Sequence, residues 1–261
     1  MRAQNLRAPA EEDGESAFVS MTDLTVSFLF IVMLLMAFFA ARYADKTPDP
    51  LEDYLQRAAL ARMDVLEALR DGIRVEFPDL VVEISTQGDA LHFRGEGLFE
   101  RDSSDLLPRP RRIVEAVADS LHEVLPCYTL GDSAAWRQVC NPHFAAIEAV
   151  QVEGHTDTEG TEIGNLMLST ARANRAFETM LGRQRRLTDH LNVRDQPVLS
   201  VAGYGWMRPI ASNATVEGRA RNRRIDLRVI MYTPGGTEDV DRVVERLRST
   251  IAQSPKTVAS R

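Results

Sequence analysis

"VEGHTDTEGTEIGNLMLSTARANRAFETML", residues 152–181, predicts the end of a strand, a polar turn and a long helix. Asn165, Ser169 and Arg172 follow one another on that helix at offsets of four and three residues, so they share one face. That face can look back toward the turn, which carries Asp157. The stretch therefore places an acid on a turn opposite an arginine on a helix.

The apolar side chains of the same helix predict which face packs on the core. They recur at helical spacing on a face of their own, made of Leu166, Thr170, Ala173, Phe177 and Leu181. The polar face is then left for a ligand or for contacts with the turn.

The acid and the arginine together suit a zwitterionic ligand. Asp157 can take an ammonium group, and the guanidinium fork of Arg172 can take a carboxylate. An Asp–Arg pair that only ties the turn to the helix is the alternative, since structural ion pairs are common. The residue pattern by itself leaves both open.

Strands and helices alternate along the rest of the chain. A hairpin is predicted where "LVVEIST" and "ALHFRG" flank Gln87-Gly88-Asp89, and further strands at "AVQVEG", "VLSVAGYG" and "RIDLRVIMY". Helices are predicted at "RRIVEAVADSLHEVL" and "EDVDRVVERLRSTI". This alternation predicts an α/β sandwich, in which one mixed sheet is backed by helices.

Four short motifs in order resemble the OmpA-like peptidoglycan-binding domain. They are a Gly-His-Thr-Asp turn, an Asn-x-x-Leu-Ser-x-x-Arg-Ala helix, a Gly-x-Gly turn and a closing Gly-Arg-x-x-Asn-Arg-Arg, within residues 152–181 and 203–229. Each motif alone is weakly specific, whereas all of them in this order are highly specific. The resemblance covers roughly residues 80–232.

The resemblance implies a ligand and a site. The ligand is the diaminopimelate end of the peptidoglycan stem peptide, held by Asp157 and Arg172. Three further side chains would line the same pocket, namely Thr156, Asn165 and Leu168.

Arg223 is a second candidate for ligand contact. Apolar and charged residues alternate in "NRRIDLRV", which predicts that Arg223 shares the apolar face and that Arg224 does not. An arginine on a core face needs a partner, either a ligand carboxylate or the acid of the site itself. A purely structural ion pair is an equal alternative.

A second stretch, "FVSMTDLTVSFLFIVMLLMAFFA" at residues 18–40, is long and apolar enough to cross a bilayer. We predict a transmembrane helix over residues 18–41, about 36 Å long against roughly 30 Å of hydrocarbon. A cleaved signal peptide is disfavoured, because acidic residues precede the run and no Ala-x-Ala site follows it.

Asp23 is the one acid inside this apolar run, and a carboxylate in a span is costly. Ser16, Ser20, Asp23 and Ser27 recur at helical spacing, so they form a polar stripe that would face other helices or a hydrated path. There the acid can bind and release a cation, which makes Asp23 the predicted ion-translocating residue. An interhelical hydrogen bond from a protonated Asp23 is the alternative.

A short tail, one span with an acid, a linker helix and an OmpA-like domain together resemble the B subunit of rotary stator units, the flagellar MotB type. The resemblance implies a homodimer inside a ring of MotA-like subunits, driven by H+ or Na+ and without a cofactor. The acidic tail and a cysteine-bearing insertion look closer to ZorB, the wall-anchored subunit of the Zorya anti-phage system, with a ZorA-type ring partner. Flagellar MotB, a passive wall anchor and a TolR- or ExbD-like transducer are the alternatives.

The composition bears on other classes of function. A net charge of −7 does not suggest a nucleic-acid surface. No second histidine or cysteine stands at ligand spacing from His155, and no serine lies in a nucleophile motif, so we predict neither a metal site nor an enzyme. Cys127 and Cys140 predict a disulfide in an oxidising compartment, with two separate thiols as the alternative.

These inferences place the chain in a bacterial inner membrane, with a cytoplasmic N-terminus and a periplasmic C-terminal domain. Positive residues on the two sides of the span balance, so this orientation depends on the disulfide and the wall-binding motifs. The predicted segments are a tail (1–17), a transmembrane helix (18–41), a linker with a helix ending at Gly72 (42–79), the OmpA-like domain (80–233) and a C-terminal helix and tail (234–261).

Overall fold

The structure, a computed structural model, describes residues 12–44, 49–94, 99 and 103–253. The described residues fall into two compact units, which divide between Asp49 and Pro50. Most of the predicted N-terminal tail and the end of the C-terminal tail lie outside the described residues, as do the side chains of Ser16 and Ser20.

The first unit is one long helix, α1 (Glu12–Ala44). Its 23 residues Met21–Tyr43 are long and apolar enough to cross a membrane. The large apolar side chains of this segment are exposed on all sides, as is expected of a helix surrounded by lipid or by other helices. The described part of the chain thus contains one candidate membrane span, at its N-terminal end.

The second unit is a five-stranded mixed sheet with helices packed on it, which confirms the predicted fold class. The strand order is β1-β2-β5-β3-β4, where β3 and β4 are parallel and the other neighbours are antiparallel. The elements in chain order are α2 (Pro50–Glu76), β1 (Val82–Ile84), β2 (Ala90–Arg94), α3 (Pro108–Val124), β3 (Ile147–His155), α4 (Glu162–Arg183), β4 (Leu199–Gly203), α5 (Val216–Asn222), β5 (Arg224–Met231) and α6 (Thr237–Gln253).

Helix α2 is longer and more deeply packed than predicted. It ends at Glu76 rather than at Gly72, and one of its faces, from Tyr54 to Ile73, is buried in the same core as the sheet. Gly72 does not end the helix but lies where α2 crosses α3, since a Cβ there would come within 2.9 Å of Ser120 Oγ. The helix predicted as part of a linker therefore belongs to the core of the second unit.

The buried face of α4 includes Ala173, as predicted, and Phe177 and Leu181 pack against the same core. Ala173, Ala176 and Met180 are buried, whereas Leu166 and Phe177 are half-buried. The polar face in the N-terminal half of α4 is buried as well, because the helix packs directly on β3 and β4.

Cys127 and Cys140 are joined by a disulfide, with their Cα atoms 6.0 Å apart. The loop that this bond closes contacts α6, because the amide of Trp136 donates to Thr250 Oγ1 at 3.1 Å. The C-terminal helix is thereby attached to the cysteine-bearing segment.

Candidate functional site

The turn after β3 places Asp157 in a buried position beside the start of α4, where it is 4% exposed. Its Oδ1 accepts a hydrogen bond from the amide of Glu159 at 2.9 Å, which fixes the carboxylate in an Asx-type turn. Its Oδ2 accepts a charged hydrogen bond from Arg223 Nη1 at 2.6 Å. One backbone donor and one guanidinium thus offset the burial of this acid.

The polar face of α4 packs against this turn, as the spacing of its residues predicts. Asn165 donates from Nδ2 to the carbonyl of Glu159 at 2.9 Å. Ser169 Oγ accepts from the amide of Gly205 at 2.9 Å, which connects the helix to the loop after β4. Leu168 is half-buried beside them.

Arg172 lies one turn further along α4 and is 8% exposed. Its Nε donates to the carbonyl of Ser103 at 2.9 Å, and its guanidinium carbon is 5.1 Å from the centre of the Phe99 ring. A guanidinium carries five donors in one plane, so these contacts orient a group that can also bind a carboxylate.

Arg223 stands at the C-terminal end of α5, one residue before β5 begins at Arg224. Its predicted position on the apolar face of a strand is therefore wrong, because the residue caps a helix. Its side chain is 36% exposed and pairs with Asp157, so it reaches both the buried acid and the solvent. Asp157 is the acid of the site, which is one of the two partners that the sequence indicated for Arg223.

Two glycines explain how closely α4 approaches the sheet. Gly154 on β3 faces Gly203 on β4 in the parallel register. A Cβ at Gly154 would lie 2.0 Å from Ser169 O, and one at Gly203 would lie 2.1 Å from Thr170 Oγ1. Bare backbone is needed at both positions, so these glycines set the distance from the strand ends to the polar face of α4.

The opposite face of the sheet carries a set of ionisable side chains that the sequence analysis did not predict. We call this set the charge cluster; it consists of Glu153, His155, Arg224, Asp226 and Arg228. Arg224 Nε donates to Asp226 Oδ2 at 2.9 Å, and Arg228 Nε donates to Glu153 Oε1 at 2.6 Å. His155 Nε2 lies 3.1 Å from Asp226 Oδ2 and 3.5 Å from Glu153 Oε2.

Arg224 lies on the face of β5 opposite the apolar residues, as predicted, but it is only 5% exposed there. Both faces of β5 are covered there, because the loop after β4 crosses the second face and Arg208 O accepts from Arg224 Nη2 at 3.2 Å. The alternation of charged and apolar residues on β5 is visible in the sequence and indicates that one face of this strand carries charges. Its meaning depends on the antiparallel register, which pairs Glu153 with Asp226.

The charge cluster is neutralised by cations of the chain itself. Burial opposes ionisation of Asp226, but contacts with His155 and His92 and the charge of Arg224 hold its pKa well below the usual range. The pKa of Glu153 is also lowered, against the effect of burial, by its contacts with His155 and an arginine. Among the described residues, Glu153, His155 and Asp226 form a set with metal-ligand atoms within 4.8 Å, yet both carboxylates already have arginine partners.

Asp23 lies near the N-terminal end of the candidate span and is exposed, as is Ser27 one turn further along α1. The hydroxyl of Thr25 donates to Met21 O at 3.0 Å, so this polar group is satisfied within the helix. Of the four residues in the predicted polar stripe, Asp23 and Ser27 have described side chains, and both are exposed.

Comparison with known families identifies the domain that carries the turn and the polar face of α4. Residues 129–223 match the OmpA family. The chain carries an OmpA-like domain. The matched segment includes β3, α4, β4 and α5, and it contains Asp157, Arg172 and Arg223.

Two curated proteins and one solved structure are similar to parts of this chain. Outer membrane porin F of Pseudomonas aeruginosa is 45% identical over 78 residues, which cover 30% of this chain and 20% of that protein. Peptidoglycan-binding protein ArfA of Mycobacterium tuberculosis is 31% identical over 129 residues, which cover 49% of this chain and 30% of that protein. A crystal structure of a putative MotB like protein from Desulfovibrio vulgaris is 18% identical, with a TM-score of 0.49, and the match covers 68% of this chain and 98% of that one.

The chain spans only part of the length of its curated relatives. The match covers 20% of outer membrane porin F of Pseudomonas aeruginosa and 56% of outer membrane protein A of Bordetella avium. The helix α1 lies outside the segment that matches the OmpA family.

Proposed function

We propose that this protein is the peptidoglycan-anchored inner-membrane subunit of an ion-driven rotary motor. The OmpA-like domain would hold the cell wall, and α1 would carry the translocated ion at Asp23. The wall-binding half depends on one observation above all: a buried acid, Asp157, is paired with a guanidinium at the edge of the polar face of α4.

The site has the charges that the diaminopimelate end of a peptidoglycan stem peptide requires. Asp157 would take the ligand ammonium, while Arg172 and Arg223 would take its carboxylate. The pocket would be lined by Thr156, Asn165 and Leu168. The related protein ArfA is a peptidoglycan-binding protein by name, which supports the same ligand class. We call the six residues of this chain named here the wall site: Thr156, Asp157, Asn165, Leu168, Arg172 and Arg223.

Substitution of either charge tests the wall site. Asp157→Asn and Arg172→Met should each abolish the sedimentation of the full-length, detergent-solubilised protein with purified cell wall. Each removes a charged hydrogen bond that contributes about 1.5 to 3 kcal/mol, which weakens binding at least about tenfold. Thermal unfolding would check that both variants remain folded.

A matched control lies on the same helix. Arg183→Ala removes an arginine that is 53% exposed and paired with Asp119, outside the wall site, so it should sediment as the parent does. If both wall-site variants also sediment as the parent does, the ligand binds elsewhere or does not bind.

A periplasmic position for the domain fits the Cys127–Cys140 disulfide, because such bonds persist in oxidising compartments. With the wall-binding domain in the periplasm, α1 would cross the inner membrane once and place the N-terminus in the cytoplasm. This orientation would put Asp23 near the cytoplasmic end of the span.

The motor half of the proposal depends on Asp23. A carboxylate in a membrane helix is costly unless it faces a partner or a hydrated path. Asp23 and Ser27 lie one helical turn apart, so they would face a MotA-like or ZorA-type ring subunit and a second copy of this chain in a homodimer. The acid would bind and release H+ or Na+, which needs no cofactor.

Anti-phage defence is the proposed use of this motor. It is favoured by the resemblance of the acidic tail and of the cysteine-bearing insertion to ZorB-type subunits. A flagellar MotB-type stator is the first alternative, and a passive OmpA-like anchor is the second.

Asp23→Asn separates the motor from the passive anchor. The amide keeps the shape and polarity of the acid, so the variant should insert, assemble and sediment with cell wall. It should abolish phage protection, or motility in the flagellar alternative, because an amide cannot carry the charge on which the membrane potential acts, worth roughly 2.3 kcal/mol per 100 mV. Thr25→Val is the control, since that hydroxyl is satisfied within α1. An assembled Asp23→Asn protein with full activity would leave only the passive anchor.

A further inference from the structure

The charge cluster contacts the loop that follows β4 at three points. The Tyr204 ring stacks on the His155 ring, with centroids 5.5 Å apart and an angle of 18° between the planes. Arg208 Nη1 lies 3.7 Å from Glu153 Oε1. Arg208 O accepts a hydrogen bond from Arg224 Nη2 at 3.2 Å. The position of the loop is therefore determined by the cluster beneath it.

The same loop connects the two halves of the wall site through Gly205. Gly205 O accepts from the amide of Thr156 at 2.9 Å, which holds the turn. Gly205 N donates to Ser169 Oγ at 2.9 Å, which holds α4. Its φ of +53° is in the left-handed region, and a Cβ would lie 3.2 Å from the amide nitrogen of Leu166, so the residue is closely confined. One residue thus sets the distance between the turn and the helix.

His155 is the member of the cluster whose ring faces this loop, and it is 1% exposed. Its Nε2 atom lies 3.1 Å from Asp226 Oδ2 and 3.5 Å from Glu153 Oε2 without hydrogen-bond geometry to either carboxylate, so the contact is electrostatic. Two carboxylates on the same side of the ring attract its N–H edge, which orients the imidazole plane. The oriented plane is the surface on which Tyr204 stacks, and Tyr204 directly precedes Gly205.

We propose that His155 is a positioning residue for wall binding. Its ring, oriented by Asp226, holds Tyr204 and thereby sets how far the turn lies from α4. This inference depends on the proposed wall-binding function. A zwitterionic ligand of fixed length needs the acid of the turn and the arginine of the helix at a fixed separation, so a shift of the loop weakens its binding.

Two substitutions at His155 in the full-length protein test the proposal. His155→Gln keeps an N–H group near the position of Nε2, whereas His155→Leu fills a similar volume without a donor. His155→Leu should weaken binding of a soluble muropeptide that contains diaminopimelate by about tenfold, measured by titration calorimetry. It should also speed hydrogen exchange at the amides of Thr156 and Gly205. His155→Gln should restore most of the affinity and most of the protection.

His190→Asn is the control, because it alters a buried histidine outside the wall site and the charge cluster. It should leave the affinity and the protection of Thr156 and Gly205 unchanged, even if it lowers stability. If the parent fails to bind the muropeptide, the proposed function is wrong, and exchange at the two amides still decides the positioning role. Unchanged protection in His155→Leu, or equal loss of affinity in the Gln and Leu variants, would overturn the inference.

Discussion

Acid should destabilise the OmpA-like domain through His190, which is fully buried. The Thr129 hydroxyl donates its single proton to Leu125 O at 2.7 Å, so His190 Nδ1, 2.8 Å from the same hydroxyl, must be the donor in that contact. His190 Nε2 is then an unprotonated atom without a hydrogen-bond partner among the described residues. Burial, followed by the charge of His122, lowers the pKa of His190 from 6.5 to about 4.

This pKa sets both the pH window and the size of the effect. The fold favours the neutral imidazole, so its contribution is complete above pH 6.5 and is lost as the pH falls through about 4. A pKa lowered by about 2.5 corresponds to about 3 kcal/mol of unfolding free energy, because each pKa unit is worth about 1.4 kcal/mol. That is a large part of the roughly 5 to 15 kcal/mol by which domains are usually stable.

His190→Asn isolates this contribution. The amide still offers an N–H group to Thr129 but does not titrate. Urea unfolding at pH 7 and pH 4 can be followed by the fluorescence of Trp136, which is 5% exposed. The parent should lose about 3 kcal/mol more unfolding free energy than the variant between these pH values, since carboxylate titrations are common to both. Equal losses would show that His190 is not the acid-sensitive group.

Reduction of the Cys127–Cys140 disulfide should lower the unfolding free energy by about 3 kcal/mol, because it frees a closed loop of this size in the unfolded chain; a melting temperature that does not respond to reductant would contradict this. Gly154→Ala should destabilise the domain by at least about 2 kcal/mol in urea unfolding, since its Cβ would lie 2.0 Å from Ser169 O. Parent-like stability would mean that α4 can move away from the sheet. Asn222→Ala should cost about 3 kcal/mol by the same assay, because its buried side chain accepts two hydrogen bonds and donates two within the loop before α5. A loss below about 1 kcal/mol would show that water replaces these bonds.

Local patterns in the sequence determined the element types of this protein. The helical period of α4 and the hairpin around Gly88 depend on residues close together in the chain, so the sequence alone predicted a mixed sheet backed by helices. The contact between the polar face of α4 and the turn that carries Asp157 was predicted for the same reason, because a short turn and two helical turns contain all of its residues. The candidate span followed from a single apolar run, although α1 extends beyond it to Glu12 and Ala44.

The tertiary structure alone decided which faces are buried and which charges meet. Apolar periodicity reports which face of an element is apolar but not what covers its other face. The helix α2 was therefore predicted to be part of a linker, and the burial of Arg224 on the second face of β5 was not predicted. The charge cluster joins residues of β3 and β5 that are distant in the chain, and only their antiparallel register brings Glu153 opposite Asp226. Such pairings depend on contacts between segments whose relative positions no local pattern encodes, because they are set by the packing of the whole sheet.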